Sequence, residues 1–145
     1  MAAQSSIFGN VIYSYTRRQA IDDGVLVDLT DFSFRPGLNV VHEAGIKYPI
    51  AMTSTAFACT VQKTGEPLPP AQDLSGRIWD VLTMFKFAAR AGGSEIRFTV
   101  RVLNWVYIDG KRIARTKHED VQLKAVCGPG DDAEPVITIM LPDED

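Results

Sequence analysis

The sequence predicts an α+β domain: short helices and one short strand at the N-terminal end, a long packed helix over about residues 73–90, then a mostly antiparallel sheet of about four strands. Three observations carry that prediction. Apolar residues recur at spacings of three and four between Leu74 and Ala89, and the period changes to two from Ile96 onward. Asp109-Gly110 then separates two extended runs, and such a pair suits a hairpin turn that needs positive φ at both central positions. Helices followed by antiparallel strands make an α+β arrangement, with the long helix lying across one face of the sheet.

Each element has its own local reason. Thr16 is a fitting N-cap for a short helix over Arg17–Asp23, which Gly24 closes. Val25–Leu29 is β-branched and aliphatic and reads as a short strand. Pro36 suits the first turn of a second helix running to about Ala44, where Gly45 stops it. Tyr48-Pro49 imposes extended backbone, after which Ile50-Ala51-Met52 leads to Thr53, the cap of an apolar helix near 54–62. Residues 63–72 hold three prolines and a glycine, a density that only a surface loop accommodates.

Asp73 caps the long helix, whose stripe of Leu74, Ile78, Leu82, Phe85 and Ala89 is widened by Trp79, Val81 and Met84, so deep packing is expected. Gly92-Gly93 ends it. Ile96, Phe98, Val100 and Val102 alternate with Arg97, Thr99 and Arg101, giving a strand with one apolar and one cationic face. Trp105–Ile108 continues to the hairpin turn, Lys111–Arg115 returns as its partner, and Lys117–Asp120 reads as an exposed loop before a further strand built on Val121, Leu123 and Ala125. Gly128–Asp132 is a turn. Val136–Leu141 is apolar at nearly every position, as a central strand covered on both faces must be, and Pro142–Asp145 leaves the sheet for solvent.

A chain of 145 residues and 16.0 kDa, 46% hydrophobic and 23% charged, is expected to form a single globular domain over 1–145 with flexible ends at 1–10 and 142–145. This composition excludes collagen-like and wholly disordered chains. Cys59 and Cys127 are too few for a disulfide scaffold, and their apolar neighbours mark them as small, reduced core residues. The N-terminal residues lack the basic and apolar regions of a secretory signal, and no apolar run approaches the roughly eighteen residues of a membrane span. A cytoplasmic protein without a membrane partner is expected.

Catalytic chemistry finds little material. The histidines are His42 and His118, and no metalloprotease, paired-cysteine, phosphate-loop or serine-hydrolase motif occurs. Gly128-Pro129-Gly130 loses a backbone donor at Pro129 and precedes a strand, which is unsuited to phosphate binding at a helix N-terminus. Asp28, Asp31, His42, Glu43, Asp131 and Asp132 would meet on a hard cation only if the first strand ends beside the Gly128 turn, and solvated turn acids are the favoured reading. No catalytic residue, metal or cofactor is assigned, and a small metal-dependent enzyme remains an alternative.

The runs Gly24-Val25-Leu26-Val27-Asp28, Glu43-Ala44-Gly45 with Tyr48-Pro49-Ile50-Ala51, and Ser75-Gly76-Arg77 with Trp79-Asp80-Val81-Leu82, followed by Leu123–Asp132 and Glu134–Pro142, resemble an uncharacterised family of small proteins. The resemblance covers nearly the whole chain from about Ile12 and implies encoding on bacterial chromosomes, plasmids and phages, with no known activity. The Asn104–Asp120 hairpin region is longer than the family pattern, and a function particular to this chain is expected there.

Charge supplies the candidate surfaces. The net charge of −3 and pI near 5.3 do not favour global attraction to nucleic acid, yet residues 1–70, 71–126 and 127–145 carry −1, +4 and −6. Arg97, Arg101, Lys111, Arg112, Arg115, Lys117 and Lys124 form a basic set with Trp105 and Tyr107 interleaved, while Asp131, Asp132, Glu134, Asp143, Glu144 and Asp145 form an acidic one. The expected function is that of a non-enzymatic accessory protein of mobile-element type that binds a host protein complex. An anti-defence inhibitor of the anti-CRISPR or anti-restriction kind would present the acidic end where a nucleic-acid-handling protein expects phosphates. The basic hairpin would hold a second surface or a dimer mate, or alternatively follow a phosphate backbone.

Overall fold

The computed structural model describes residues 15–32 and 39–145. Helix α1 spans Arg17–Asp22, and its start is a reciprocal capping box in which the Thr16 hydroxyl accepts from the Gln19 N–H and the Gln19 side chain accepts from the Thr16 N–H. Gly24 follows at φ +79, a left-handed conformation that ends the helix without the steric cost of a Cβ. Strand β1, Leu26–Asp28, is shorter than the predicted Val25–Leu29, because the Asp28 carboxylate accepts from the Thr30 N–H and turns Leu29–Asp31 into a single tight helical turn. Helix α2 covers Val40–Glu43 behind an Asn39 cap; its predicted beginning at Pro36 lies outside the described residues, as do residues 1–10.

Strand β2, Ile50–Thr53, is an element that the sequence pattern did not announce. Ile50, Ala51 and Met52 are all fully buried, so no polar alternation marks them. Thr53 caps helix α3, Ser54–Thr60, and Asp73 caps helix α4, Leu74–Ala89, with its carboxylate accepting from the Gly76 N–H at 2.6 Å. Beyond lie β3 (Glu95–Ile108), β4 (Lys111–Pro129) and β5 (Pro135–Met140), with Asp109 and Gly110 both at positive φ in the predicted hairpin turn. The two predicted strands Lys111–Arg115 and Val121–Ala125 are one: the segment Lys117–Asp120 stays extended because Asn104, Leu103, Val102 and Arg101 pair with it in register. His118 therefore stands on a strand rather than in a loop.

The five strands run in the order β1-β2-β5-β4-β3, antiparallel except for β2 beside β5. β5 is the middle strand, as its apolar run required. One sheet face carries Phe98, Val100, Leu123, Ile137 and Ile139 against Ile78, Val81, Leu82 and Phe85 of α4, with Val40 and Val41 of α2 and Ala56 of α3 closing the same core. Trp79 and Met84 do not join it. They are 42% and 40% exposed, because the core-facing stripe of α4 is narrow and both lie beside it. The cysteines also depart from expectation, since Cys59 and Cys127 are both exposed free thiols. Among the described residues no helix is long and apolar enough to cross a membrane.

Arg77 lies within the interior at 4% exposure. Its Nε donates to the Val61 carbonyl at 2.6 Å, Nη1 to the Leu103 carbonyl at 2.8 Å, and Nη2 to Asn104 Oδ1 at 2.9 Å. Asn104 in turn donates to the Cys59 carbonyl and to Glu119 Oε1. A guanidinium has five donors in a rigid fork and no acceptor, so it can satisfy several carbonyls that converge from different elements. Replacing Arg77 by Ala leaves those acceptors without a partner, and the free energy of unfolding is expected to fall by about 3 kcal/mol. Urea denaturation of the Arg77→Ala protein measures this, and an unchanged midpoint would contradict it.

Candidate functional site

The β3–β4 hairpin is much longer than its neighbour. β4 pairs with β5 only from Lys124 to Pro129, whereas it pairs with β3 along nearly its whole length, so the hairpin continues as a two-stranded ribbon beyond the edge of β5. Alternation places Arg97, Thr99 and Arg101 on the face opposite α4, across from Lys124, Gln122 and Asp120. Arg97, Thr99, Arg101, Asp120 and Gln122 are all exposed there, but Lys124 is buried at 8%, flanked in register by Arg97 and Met140, and is not part of the surface. The charges are mixed rather than uniformly cationic. Arg97 pairs with Glu95 at 3.2 Å and Arg101 stands opposite Asp120, while on the other face of the ribbon Lys117 pairs with Glu119 at 3.6 Å.

Toward the tip, the register between Trp105 and Tyr107 is broken by a bulge. The Arg112 guanidinium lies 5.0 Å from the centre of the Trp105 ring, and the Lys63 ammonium lies 5.3 Å from that of Tyr107. Trp105 donates to the Pro67 carbonyl at 2.9 Å, and the Tyr107 hydroxyl donates to the Glu66 carboxylate. That hydrogen bond holds the phenol in its neutral form and pushes its pKa up. The aromatic groups of the hairpin thus fasten it to the proline-rich loop. Lys111, Arg112 and Arg115 are exposed around this end.

The acidic set divides in two. Asp131 Oδ1 accepts from the Arg17 N–H at 2.8 Å and Oδ2 from the Arg18 N–H at 3.0 Å, so with Thr16 it satisfies the first three donors of α1. These two backbone hydrogen bonds hold its pKa below the ordinary carboxylate value. Glu134 accepts from the Asp132 N–H, and Glu144 accepts from Thr53 and Thr55 hydroxyls and from the Leu141 N–H. Burial works against the Glu144 charge, but the hydrogen bonds from Thr55, Leu141 and Thr53 and the nearby Lys124 outweigh it, and its pKa is lowered. The last residues therefore leave the sheet but return to it through Glu144. Asp132, Asp143 and Asp145 accept no such hydrogen bond among the described residues and are exposed, as are Asp131 and Glu134.

The possible cation set does not assemble as a metal site. Arg17 stands in the electrostatic neighbourhood of Asp28, Asp131 and Glu134, with its guanidinium on the Thr138 hydroxyl and the Ile137 carbonyl. Among the described residues, no group of three or more His, Cys, Asp or Glu side chains is placed to hold a metal ion. The Cys59 thiol, exposed but partly desolvated by its neighbours, has its pKa pushed up first by that desolvation and then by Glu119 and Glu144, which is the reverse of what a nucleophilic cysteine needs.

A surface that sequence reasoning missed lies on α4. Trp79 and Phe87 are 42% and 56% exposed, and together with Thr83 they line a depression flanked by Lys86 and Arg90. The spacing of Trp79, Thr83 and Phe87 by four residues was the available signal, but it merges with the core stripe in a one-dimensional reading.

A model of a family of unknown function, DUF6573, matches residues 6–145. No curated protein and no solved structure shows significant similarity to the chain.

Because the Asp131 carboxylate is depressed in the folded state, the stability it adds is fully present above its unfolded pKa, near 4, and is lost as pH falls through the lower folded value. Thermal unfolding between about pH 6 and pH 2 is expected to show a shallower acid loss for Asp131→Asn than for the native chain. Parallel curves would refute this role.

Proposed function

The chain belongs to the DUF6573 family, and from its surfaces we propose that it is a non-catalytic accessory protein that works by binding another protein through the β3–β4 ribbon. The observation that carries this reading is the outer face of the ribbon, exposed among the described residues, where Arg97 and Arg101 alternate with Thr99 beside Gln122 and Asp120. Cations interleaved with carboxylates and neutral hydrogen-bonding groups suit the mixed surface of a protein better than a uniform line of phosphates. Two further features favour the same choice. Trp105 and Tyr107 each give one ring face to a cation of this chain, and the total charge is −3.

The partner we propose is a nucleic-acid-handling complex of a bacterial host, with the chain acting in the cytoplasm as a mobile-element inhibitor of anti-CRISPR or anti-restriction type. The ribbon takes precedence over the acidic end because Asp131, Glu134 and Glu144 are held in hydrogen bonds within the fold, which leaves Asp132, Asp143 and Asp145 as the acidic side chains without such a bond. Affinity capture from host cells, compared between the native chain and the Arg97→Glu, Arg101→Glu double variant, tests the proposal. A host protein held by the native chain and lost by the variant is the expected result. Equal capture by both would overturn the ribbon assignment. A gel shift with nucleic acid at low salt, abolished by Arg112→Ala plus Arg115→Ala, would transfer the ribbon to nucleic-acid binding.

A further inference from the structure

A second site lies away from the ribbon, where the C-terminal half of α4 meets the segment Gly45–Tyr48 and the ends of β3 and β5. An open cleft of about 510 Å³ is floored by Ile46, Phe85, Ala89, Ile96 and Ile137 and walled by Tyr48, which is 44% exposed. Its volume is within the range of ligand-binding clefts. Lys47, Lys86 and Arg90 stand around it, and the described residues that line it include no Asp or Glu. Lys86 and Arg90 also flank the neighbouring depression of Trp79, Thr83 and Phe87, so the two form one surface running across α4.

The surroundings of the cleft indicate what it would hold. Gly45 ends α2 at φ +82, a conformation that favours glycine, and the Lys86 ammonium reaches over it to 3.3 Å from where a Cβ would stand. Arg90 lies 4.9 Å from the Phe87 ring centre, which orders the guanidinium while leaving its edge donors for an anion. None of Lys47, Lys86 and Arg90 forms an ion pair among the described residues. In a molecule of net charge −3, three cations gathered around an apolar floor without a carboxylate select an anion that brings apolar surface with it. The exposed aromatic groups and arginine have the composition of protein-binding hot spots.

We propose that this cleft docks an acidic, apolar segment of a partner protein, with aliphatic or aromatic side chains on the Phe85–Ile137 floor and Asp or Glu side chains on Lys47, Lys86 and Arg90. The site is independent of the ribbon, and its failure would leave the ribbon reading untouched. The probe is a displayed library of random peptides selected on the full-length chain, followed by fluorescence anisotropy of the most enriched sequence made synthetically. Enriched sequences are expected to set Asp or Glu beside Leu, Phe or Trp, and the Asn/Gln analogue is expected to bind about tenfold more weakly. The Lys86→Glu, Arg90→Glu variant, at two exposed positions, should lose at least about as much affinity while keeping its unfolding temperature. The Arg97→Glu, Arg101→Glu variant should bind the peptide as the native chain does. Failure to enrich any sequence, enrichment of sequences without acidic residues, or unchanged affinity after charge reversal on α4 would each overturn the proposal.

Discussion

The buried guanidinium of Arg77 is the contact on which the placement of the other elements depends. It joins the end of α3 at Val61, the first turns of α4 and the middle of β3 at Leu103 and Asn104, and through Asn104 it reaches Glu119 on β4. Burial disfavours its charge and lowers its pKa, while Asp80 opposes that shift. The carboxylic acid of Asp80 is shifted upward, chiefly by burial, with Arg77 acting against the shift. A charge held in the interior is stable only while its hydrogen bonds are made, so the elements that supply the acceptors are constrained together. The root of the ribbon is one of them, and the ribbon projects from a fixed base.

A comparable tie closes the other side of the molecule. Arg17 and Asp131 are separated by more than a hundred positions in sequence, yet the carboxylate serves as part of the N-terminal cap of α1 while the Arg17 side chain reaches β5. Glu144 fastens the last residues to the start of α3. The acidic final segment is thereby spent in part on architecture, and half of its six carboxylates have identified partners within the fold. Their charge is not removed, since Asp131 and Glu134 stay exposed, but these carboxylates are fixed in position by the fold.

These ties leave the outer face of the ribbon and the α4 cleft as the places where polar and apolar groups face solvent in an organised pattern. They differ in chemistry. The ribbon mixes charges along two strands, whereas the cleft sets cations around an apolar floor. A binding protein with two separate surfaces can bridge two partners or grip one partner twice, and the independence of the two sets of residues makes the alternatives separable.

Local chemistry was legible in the sequence wherever a decision involved only neighbouring residues. The Thr16, Thr53 and Asp73 caps, the stop at Gly24, the Asp109-Gly110 turn, the long helix, the alternation of β3 and the central position of β5 all follow from propensity and period. The tertiary structure alone decided the rest. β2 became a strand because β5 supplied a parallel partner, and a short segment buried on both faces has no polar alternation to advertise itself. Lys117–Asp120 became strand because β3 lay opposite, and Lys124 was enclosed between Arg97 and Met140 on its neighbouring strands with Glu144 nearby. The candidate surface on α4 emerged for the same reason: the helical stripe makes Trp79 and Met84 look like core, but only the position of the sheet determines which side of a helix is buried. Sequence by itself determined the caps, turns, periods and charges that neighbouring residues decide, and three-dimensional packing determined which extended segments joined the sheet and which charges and apolar groups stayed exposed.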